Sequence, residues 1–272
     1  VPDCQSIVKK AVVERLKAKY KLSWFPETGP LHRIRFRILK DQVSVMMDTS
    51  GEGLHKRGYR AVSNGAPLKE TLAASLLKLS RLRSDGHLID PFCGSGTLLV
   101  EAALMAFHIA PGVGRSFTAE TWREISPKLW AEERERARSL EQRDTEFRAE
   151  GFDIDPAAVE LSLANAKNAG VEKAITASVR DIRDFAQEDV YGCVVCNPPY
   201  GERLLDLRQA EELYQVMGKV FQPRRGWSFG IITPDGDFES LFGRKADKRR
   251  KLYNGMIQSQ YNQFFNGEGT SH

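Results

Sequence analysis

Leu88-Ile89-Asp90-Pro91-Phe92-Cys93-Gly94-Ser95-Gly96-Thr97 decides the fold. A short apolar run ends on an acid, a proline and two glycines turn the chain, and Thr97 opens an apolar helix predicted over 97–110. The order is strand, Gly-rich turn, helix. Glycines let a backbone approach a ligand closely, and a helix N-terminus presents free N–H groups. A dinucleotide fingerprint would need a third glycine at position 99, where this chain has Leu99. Asp90, at the strand's end, suits instead a ligand that carries an ammonium group and no phosphate there. S-adenosylmethionine has both properties.

Outward from this stretch, further strands are expected over 147–154, 174–179, 190–196 and 228–233, with helices over 67–79 and 156–169. Alternating β and α elements imply a mostly parallel, doubly wound α/β sheet. Asn254-Gly255, between Lys251-Leu252-Tyr253 and Met256-Ile257-Gln258, is a strong two-residue hairpin signal, so the sheet should end in an antiparallel pair. Residues 111–142 read as a long insertion whose second half, with Leu129, Trp130, Ala137 and Leu140 among mixed charges, is an amphipathic surface helix.

Acids recur at strand ends. Gly151-Phe152-Asp153-Ile154-Asp155-Pro156 places Asp153 where a carboxylate can accept ribose hydroxyls and Ile154 where it can pack on an adenine face. Asp155 before Pro156 reads as a helix N-cap followed by proline at the first helical position. Asp181-Ile182 follows the next strand and suits an adenine amino group. After the β-branched run 190–196 comes Asn197-Pro198-Pro199-Tyr200. Two prolines end the strand, because neither can donate to a ladder. Asn197 is thereby held at a strand's carboxyl end, where open α/β sheets place ligands. A fixed side-chain carbonyl and a fixed backbone carbonyl can accept both protons of an exocyclic amine, and Tyr200 offers a flat surface to a base. The plain alternative is a strand stopped by a Pro-Pro turn.

Composition bounds the rest. The chain has 272 residues, 41% of them hydrophobic, and a net charge of +4. No apolar run approaches the roughly 20 residues a membrane span needs. The sequence begins Val1-Pro2-Asp3 without an initiator Met and without a visible signal peptide, which reads as a fragment of a longer cytoplasmic protein. Four scattered cysteines make no disulfide framework. Cys193 and Cys196 have redox spacing but fall within an expected buried strand, and no second pair supports a metal site. Residues 244–251 hold six cations and one anion. Beside a base-handling motif, such a run points to phosphate contact.

Upstream, Ile7, Val8, Ala11, Val12 and Leu16 share one helical face. Residues 31–39 alternate apolar with basic and turn at Lys40-Asp41-Gln42 into 43–47, an antiparallel hairpin with a basic, solvated face. A helix and a lone hairpin bury little, so this part reads as the end of a small α/β domain.

Asp90-Pro-Phe-Cys-Gly-Ser-Gly-Thr97 and Asn197-Pro-Pro-Tyr-Gly-Glu-Arg203 resemble class I S-adenosylmethionine-dependent methyltransferases acting on base amino groups. With Leu54-His-Lys-Arg-Gly-Tyr-Arg60 and Ala66-Pro-Leu-Lys-Glu-Thr-Leu-Ala73, the chain is similar to bacterial 23S ribosomal RNA guanine-N2 methyltransferases that carry a THUMP RNA-binding domain. The resemblance implies a Rossmann-like catalytic domain over 65–272, a linker over 51–64 and the C-terminal part of a THUMP domain over 1–50. It implies Lys69, Glu70 and Thr71 closing over the cofactor's methionine end. Asp90, Pro91, Phe92, Cys93, Gly94, Ser95, Gly96, Thr97, Asp153, Ile154, Asp155, Asp181, Ile182 and Asn197 then line the cofactor. Asn197, Pro198, Pro199 and Tyr200 hold the guanine, and Arg203, Lys245, Lys248, Arg249 and Arg250 meet ribosomal RNA. No metal or membrane is expected, and a monomer is. Adenine-N6 and glutamine-amide methyltransferases share the Asn-Pro-Pro-Tyr chemistry and remain alternatives.

Overall fold

The computed structural model describes residues 2–60, 68–200 and 207–265. Arg203, with Gly201 and Glu202, lies outside the described residues, as do residues 61–67. The chain forms two compact units, Val1–Gly51 with Phe117–Ser126, and Glu52–Ser116 with Pro127–His272.

The first unit holds helix α1 (Pro2–Tyr20) and an antiparallel hairpin of β1 (Arg33–Leu39) and β2 (Gln42–Asp48). Lys40 and Asp41 both have positive φ, 50° and 59°, the mirror-image turn that matches strand twist. Asp48 ends β2. Its carboxylate accepts the Gly51 and Ser50 N–H groups at 3.0 and 3.2 Å and the Arg35 guanidinium at 2.9 Å, which together hold its pKa below the ordinary value. The sequence did not foresee that Phe117–Ser126, from the expected insertion, belongs to this unit. Trp122 donates to the Leu31 carbonyl at 3.0 Å and stacks on His32 at 4.7 Å, while the Ala119 N–H meets the Thr49 carbonyl.

The second unit is built on a seven-stranded sheet. In chain order its strands are β3 (His87–Asp90), β4 (Arg148–Asp153), β5 (Ile175–Val179), β6 (Gly192–Cys196), β7 (Trp227–Thr233), β8 (Lys248–Asn254) and β9 (Ile257–Phe265). Spatially they run β5-β4-β3-β6-β7-β9-β8, with only β9 antiparallel to its neighbours. Helices α2 (Glu70–Leu79), α3 (Thr97–Ala106), α5 (Pro156–Asn168), α6 (Leu207–Val220) and α7 (Phe238–Phe242) flank it, and α4 (Pro127–Ser139) lies on the surface with no buried residue. Leu76, Leu99 and Val195 belong to one apolar cluster, and Phe152, Tyr214 and Phe229 to the other. This is the class I methyltransferase fold, a mostly parallel sheet closed by an antiparallel hairpin. The expected hairpin is present, but its turn is shifted by one residue: Asn254 still pairs with Ile257 as the last residue of β8, and the two-residue loop is Gly255-Met256, with Gly255 at φ +67°.

Three boundaries differ from expectation. Helix α3 stops at Ala106, because His108 takes φ +53° and the Ile109 and His108 N–H groups turn back to the Leu104 and Met105 carbonyls. Strand β6 starts at Gly192, since Val190 is 78% exposed and Tyr191 is exposed as well. The expected linker, 51–64, divides: Glu52 onward lies in the second unit, while 61–64 fall outside the described residues. Tyr59 is buried and donates to Glu101 at 3.2 Å, Arg57 pairs with Glu101 at 3.4 Å, and Arg60 pairs with Glu70 at 3.3 Å. Buried charges need partners, so these cations bind the segment to the core rather than leaving it free.

Candidate active site

In an open α/β sheet the ligand crevice opens where neighbouring strands connect in opposite directions. Here that point lies between β3 and β6, paired at Leu88–Cys193 and Ile89–Val194. The carboxyl ends of β4, β3 and β6 therefore bring Asp153, Asp90 and Asn197 to one edge of the sheet.

The Gly-rich turn is held from several sides. Asp90 accepts the Phe92 N–H at 3.2 Å. The Cys93 N–H donates to the Phe152 carbonyl at 3.1 Å, and the Gly94 N–H to Asp153 Oδ2 at 3.0 Å, which folds the turn over the end of β4. A Cβ on Gly94 would face open space on the side where a ligand can approach. Gly96 caps α3 at φ +74°, and a Cβ there would overlap the Ser162 hydroxyl. Gly96→Ala is therefore expected to cost about 1–3 kcal/mol, combining strained backbone with the clash, and thermal unfolding should show a Tm several degrees lower.

The helix–strand crossing explains the missing third glycine. Leu99 is fully buried against Gly151 of β4, where an added Cβ would come within 2.9 Å of the Cys93 Cβ. The small residue that close packing requires sits on the strand instead of the helix.

Asp90 is the dominant electrostatic feature. It is 2% exposed, and no ion pair reaches it among the described residues. Burial, and secondarily the nearby Asp153, pushes its pKa up to about 8 from an ordinary 3.8. An interior carboxylate without a cation is costly to ionise, and a bound ammonium group would remove that cost. The open face of Gly94 and this unpaired acid fit a sulfonium cofactor with an amino-acid tail.

The remaining expected residues divide. Asp153 Oδ1 accepts the Asp155 N–H at 3.1 Å, and Ile154 is 71% exposed at the edge of the site. Asp155 caps α5 by accepting the Ala157 N–H at 2.9 Å, with Pro156 at the first helical position. Asp181 accepts the Arg183 N–H at 2.8 Å and pairs with its guanidinium at 2.9 Å, so both oxygens serve a local turn. Ile182 is buried in the core cluster with Phe152 and Phe185 rather than presented outward. Glu70 is buried at the start of α2, whereas Lys69 and Thr71 are exposed. Pro198 is buried, and Asn197, Pro199 and Tyr200 are half-buried.

Several supports had no signal in the sequence. Arg60 donates to the Thr97 hydroxyl at 2.7 Å and to the Leu68 carbonyl at 3.3 Å, tying α2 to the Gly-rich turn. Asn165, fully buried on α5, donates to the Ser95 carbonyl at 2.9 Å. Beside Asn197, at the end of β7, Thr233 shares a hydrogen bond with buried Tyr214 at 2.9 Å. The Tyr214 phenol is pushed up to about 12, chiefly by burial.

The cations at 244–251 do not act alike. Arg244 is wedged against the Phe242, Phe264 and Phe229 rings and donates to the Phe221 carbonyl at 3.0 Å, a structural place. Arg249 pairs with Glu239 at 3.2 Å. Lys245, Lys248, Arg250 and Lys251 are exposed.

Comparison with known proteins places this geometry. The UPF0020 family model, an RMKL-like methyltransferase domain, matches residues 57–263. YpsC of Bacillus subtilis (strain 168) is 43% identical over 97% of this chain and 69% of its own length. The ribosomal RNA large subunit methyltransferase K/L of Shewanella baltica (strain OS155) is 42% identical over 81% of this chain, which spans only 32% of that relative. SMU.472, solved as a complex with SAH, superposes with a TM-score of 0.90 at 41% identity over 99% of this chain and 71% of its own. A Listeria monocytogenes chain named as a predicted N6-adenine-specific DNA methylase gives 0.90 at 44% identity, over 98% and 70%. Among the described residues, no helix is long and apolar enough to cross a membrane.

Proposed function

This chain belongs to the UPF0020, RMKL-like methyltransferase family, and from that premise we propose that it methylates the exocyclic N2 amine of a guanine in 23S ribosomal RNA. The observation that carries the reading is Asn197-Pro198-Pro199-Tyr200 at the end of β6, beside the unpaired Asp90 at the end of β3. S-adenosylmethionine supplies the electrophilic methyl group. Asp90 receives its ammonium group, and Asp153 and Ile154 meet its ribose and adenine. Lys69, Glu70 and Thr71 close the methionine end. Asn197 Oδ1 and the Pro198 carbonyl accept the two protons of the amine, which fixes its lone pair in line with the methyl carbon. Tyr200 stacks on the base, turned out of its helix. The nitrogen–carbon bond forms as the sulfur–carbon bond breaks, and the cationic amine then loses a proton to water. No strong base is required.

RNA is favoured as the acceptor by the large-subunit ribosomal RNA methyltransferase relatives and by basic surfaces on each unit. In the first unit Arg33, Arg35 and Arg37 lie exposed on one face of β1, as expected of the closing part of a THUMP domain. In the second, Lys245, Lys248 and Arg250 are candidates for phosphates, with Arg249 partly engaged by Glu239. Such an enzyme works in the cytoplasm, as a monomer. The Listeria relative's name supports adenine N6 as a second reading. Incubating the protein with labelled S-adenosylmethionine and separate RNA, DNA and protein pools, followed by nucleoside mass spectrometry, tests both. The expected product is N2-methylguanosine in RNA, and N6-methyladenine would replace the first reading with the second.

A further inference from the structure

The β8–β9 hairpin is anchored at its base and bare at its tip. Tyr261, Asn262, Gln263 and Phe264 of β9 are buried, which fixes the stem to β7. Strand β8 closes the sheet, with no further strand on its outer side among the described residues. Because β8 runs parallel to β7, its end points to the same edge as Asp90, Asp153 and Asn197. The registers fix the level. Arg249 faces Asn262, which faces Ile231, which faces Cys196, the residue before Asn197. Lys251 stands level with Thr233, the last residue of β7, and the turn at 254–256 projects three residues further, roughly 10 Å. Laterally, three strand spacings, roughly 14 Å, separate β8 from β6. That is about four nucleotides at the stacked rise of 3.4 Å per strand.

The exposed chemistry at that place is cations with an aromatic among them. Lys248, Arg250 and Lys251 are exposed along β8, Lys251 Nζ lies 5.9 Å from the centre of the Tyr253 ring, Tyr253 is 57% exposed and Met256 97%. Cations alone are what a sheet edge carries to prevent pairing with another chain. That role does not account for a bare aromatic next to the end of β8, at Tyr253, and a bare methionine on the turn, at Met256. Single-stranded nucleic acid asks for both, charge along the backbone and flat or apolar surface for unstacked bases.

We propose that the exposed edge of this hairpin, from β8 to its turn, is a contact surface for the RNA strand flanking the target nucleotide, with Lys248, Arg250 and Lys251 on phosphates along the edge and Tyr253 and Met256, nearer the tip, against a neighbouring base. The inference rests on RNA being the substrate. The test measures methyl transfer to large-subunit ribosomal RNA over a range of RNA and salt concentrations, using the full chain. Tyr253→Ala should raise the KM for RNA about tenfold, with kcat at saturating RNA and the cofactor's Kd unchanged, and Tyr253→Phe should restore the KM. Replacing Lys248, Arg250 and Lys251 together by alanine should flatten the logarithmic salt dependence of RNA binding by about 2, at roughly 0.7 per lost phosphate contact. Lys173→Ala, before β5 at the opposite edge, should change neither. An active wild type beside hairpin variants with unaltered KM and salt slope would overturn this proposal and leave the proposed function standing. So would a dimer in light scattering that the triple variant dissolves, since β8 would then be pairing with a second copy. A wild type that binds S-adenosylmethionine but methylates no RNA would overturn both.

Discussion

Asn197→Ala is expected to lower kcat by about 10²–10³-fold while leaving the fold and the cofactor's Kd close to wild type. The amine of guanine is a poor nucleophile while its lone pair is delocalised into the ring. Two rigid acceptors, one on Asn197 and one on the Pro198 backbone, draw its protons into a geometry that localises the pair toward the methyl carbon. Preorganised hydrogen-bond partners that strengthen as charge develops contribute roughly this much per group. Asn197 is well placed for such a role because Cys196 before it is fully buried and Pro198 after it is buried as well. Its half-buried amide has no hydrogen-bond partner among the described residues, so truncation leaves no orphaned group and should cost little stability. Single-turnover transfer with saturating cofactor separates chemistry from binding. A rate within threefold of wild type, in a protein whose Tm is unchanged, would remove Asn197 from the mechanism.

Much of this architecture was legible locally. The turn at Cys93–Gly96 and the strand-end acids depend on residues adjacent in sequence and formed where the pattern placed them, and the Asn-Gly signal found the hairpin but set its turn one residue early. Helix α6 is also readable in the sequence: Ala210, Tyr214 and Met217, with Phe221 just past its end, fall on one buried stripe at helical spacing. Other features were not readable in principle. Nothing in Phe117–Ser126 announces that Trp122 will stack on His32, some ninety positions away, because the contact is made by tertiary structure alone. Arg57 and Arg60 lie in the expected linker, and only the fold brings Glu101 and Glu70 to meet them. The basic run shows the same limit. Arg244 and Lys248 are equivalent as charges, but alternation along the chain cannot tell that three phenylalanine rings enclose the first. At the site, spacing put the acids at strand ends but could not show that Asp181 spends both oxygens on Arg183. The adenine contact expected there must therefore compete with an existing turn.

The second large effect concerns Asp90. With its pKa near 8, the free protein at pH 7 holds this carboxyl mostly protonated. A bound ammonium group reverses the balance, because an opposite charge within a few ångströms favours the ionised form. Binding of S-adenosylmethionine at pH 7 should therefore release most of one proton. Calorimetry in buffers of different ionisation enthalpy reads this directly, as a linear dependence of the observed heat on buffer. Asp90→Asn should abolish the release and weaken cofactor binding roughly 10- to 100-fold, the usual consequence of losing a charged partner in a buried hydrogen bond. The same substitution carries a sign that can be checked without ligand. The unfolded carboxyl ionises near 3.8 and the folded one near 8, so between those values the native state keeps a proton that the unfolded state has lost. Stability contributed through this group is then greatest at low pH and falls as pH rises through that window. Comparing Tm at pH 6 and pH 8, the wild type should lose more than Asp90→Asn. Equal losses, together with buffer-independent binding heats in the wild type, would mean that Asp90 is already ionised in the free protein and that the ammonium group is recognised elsewhere.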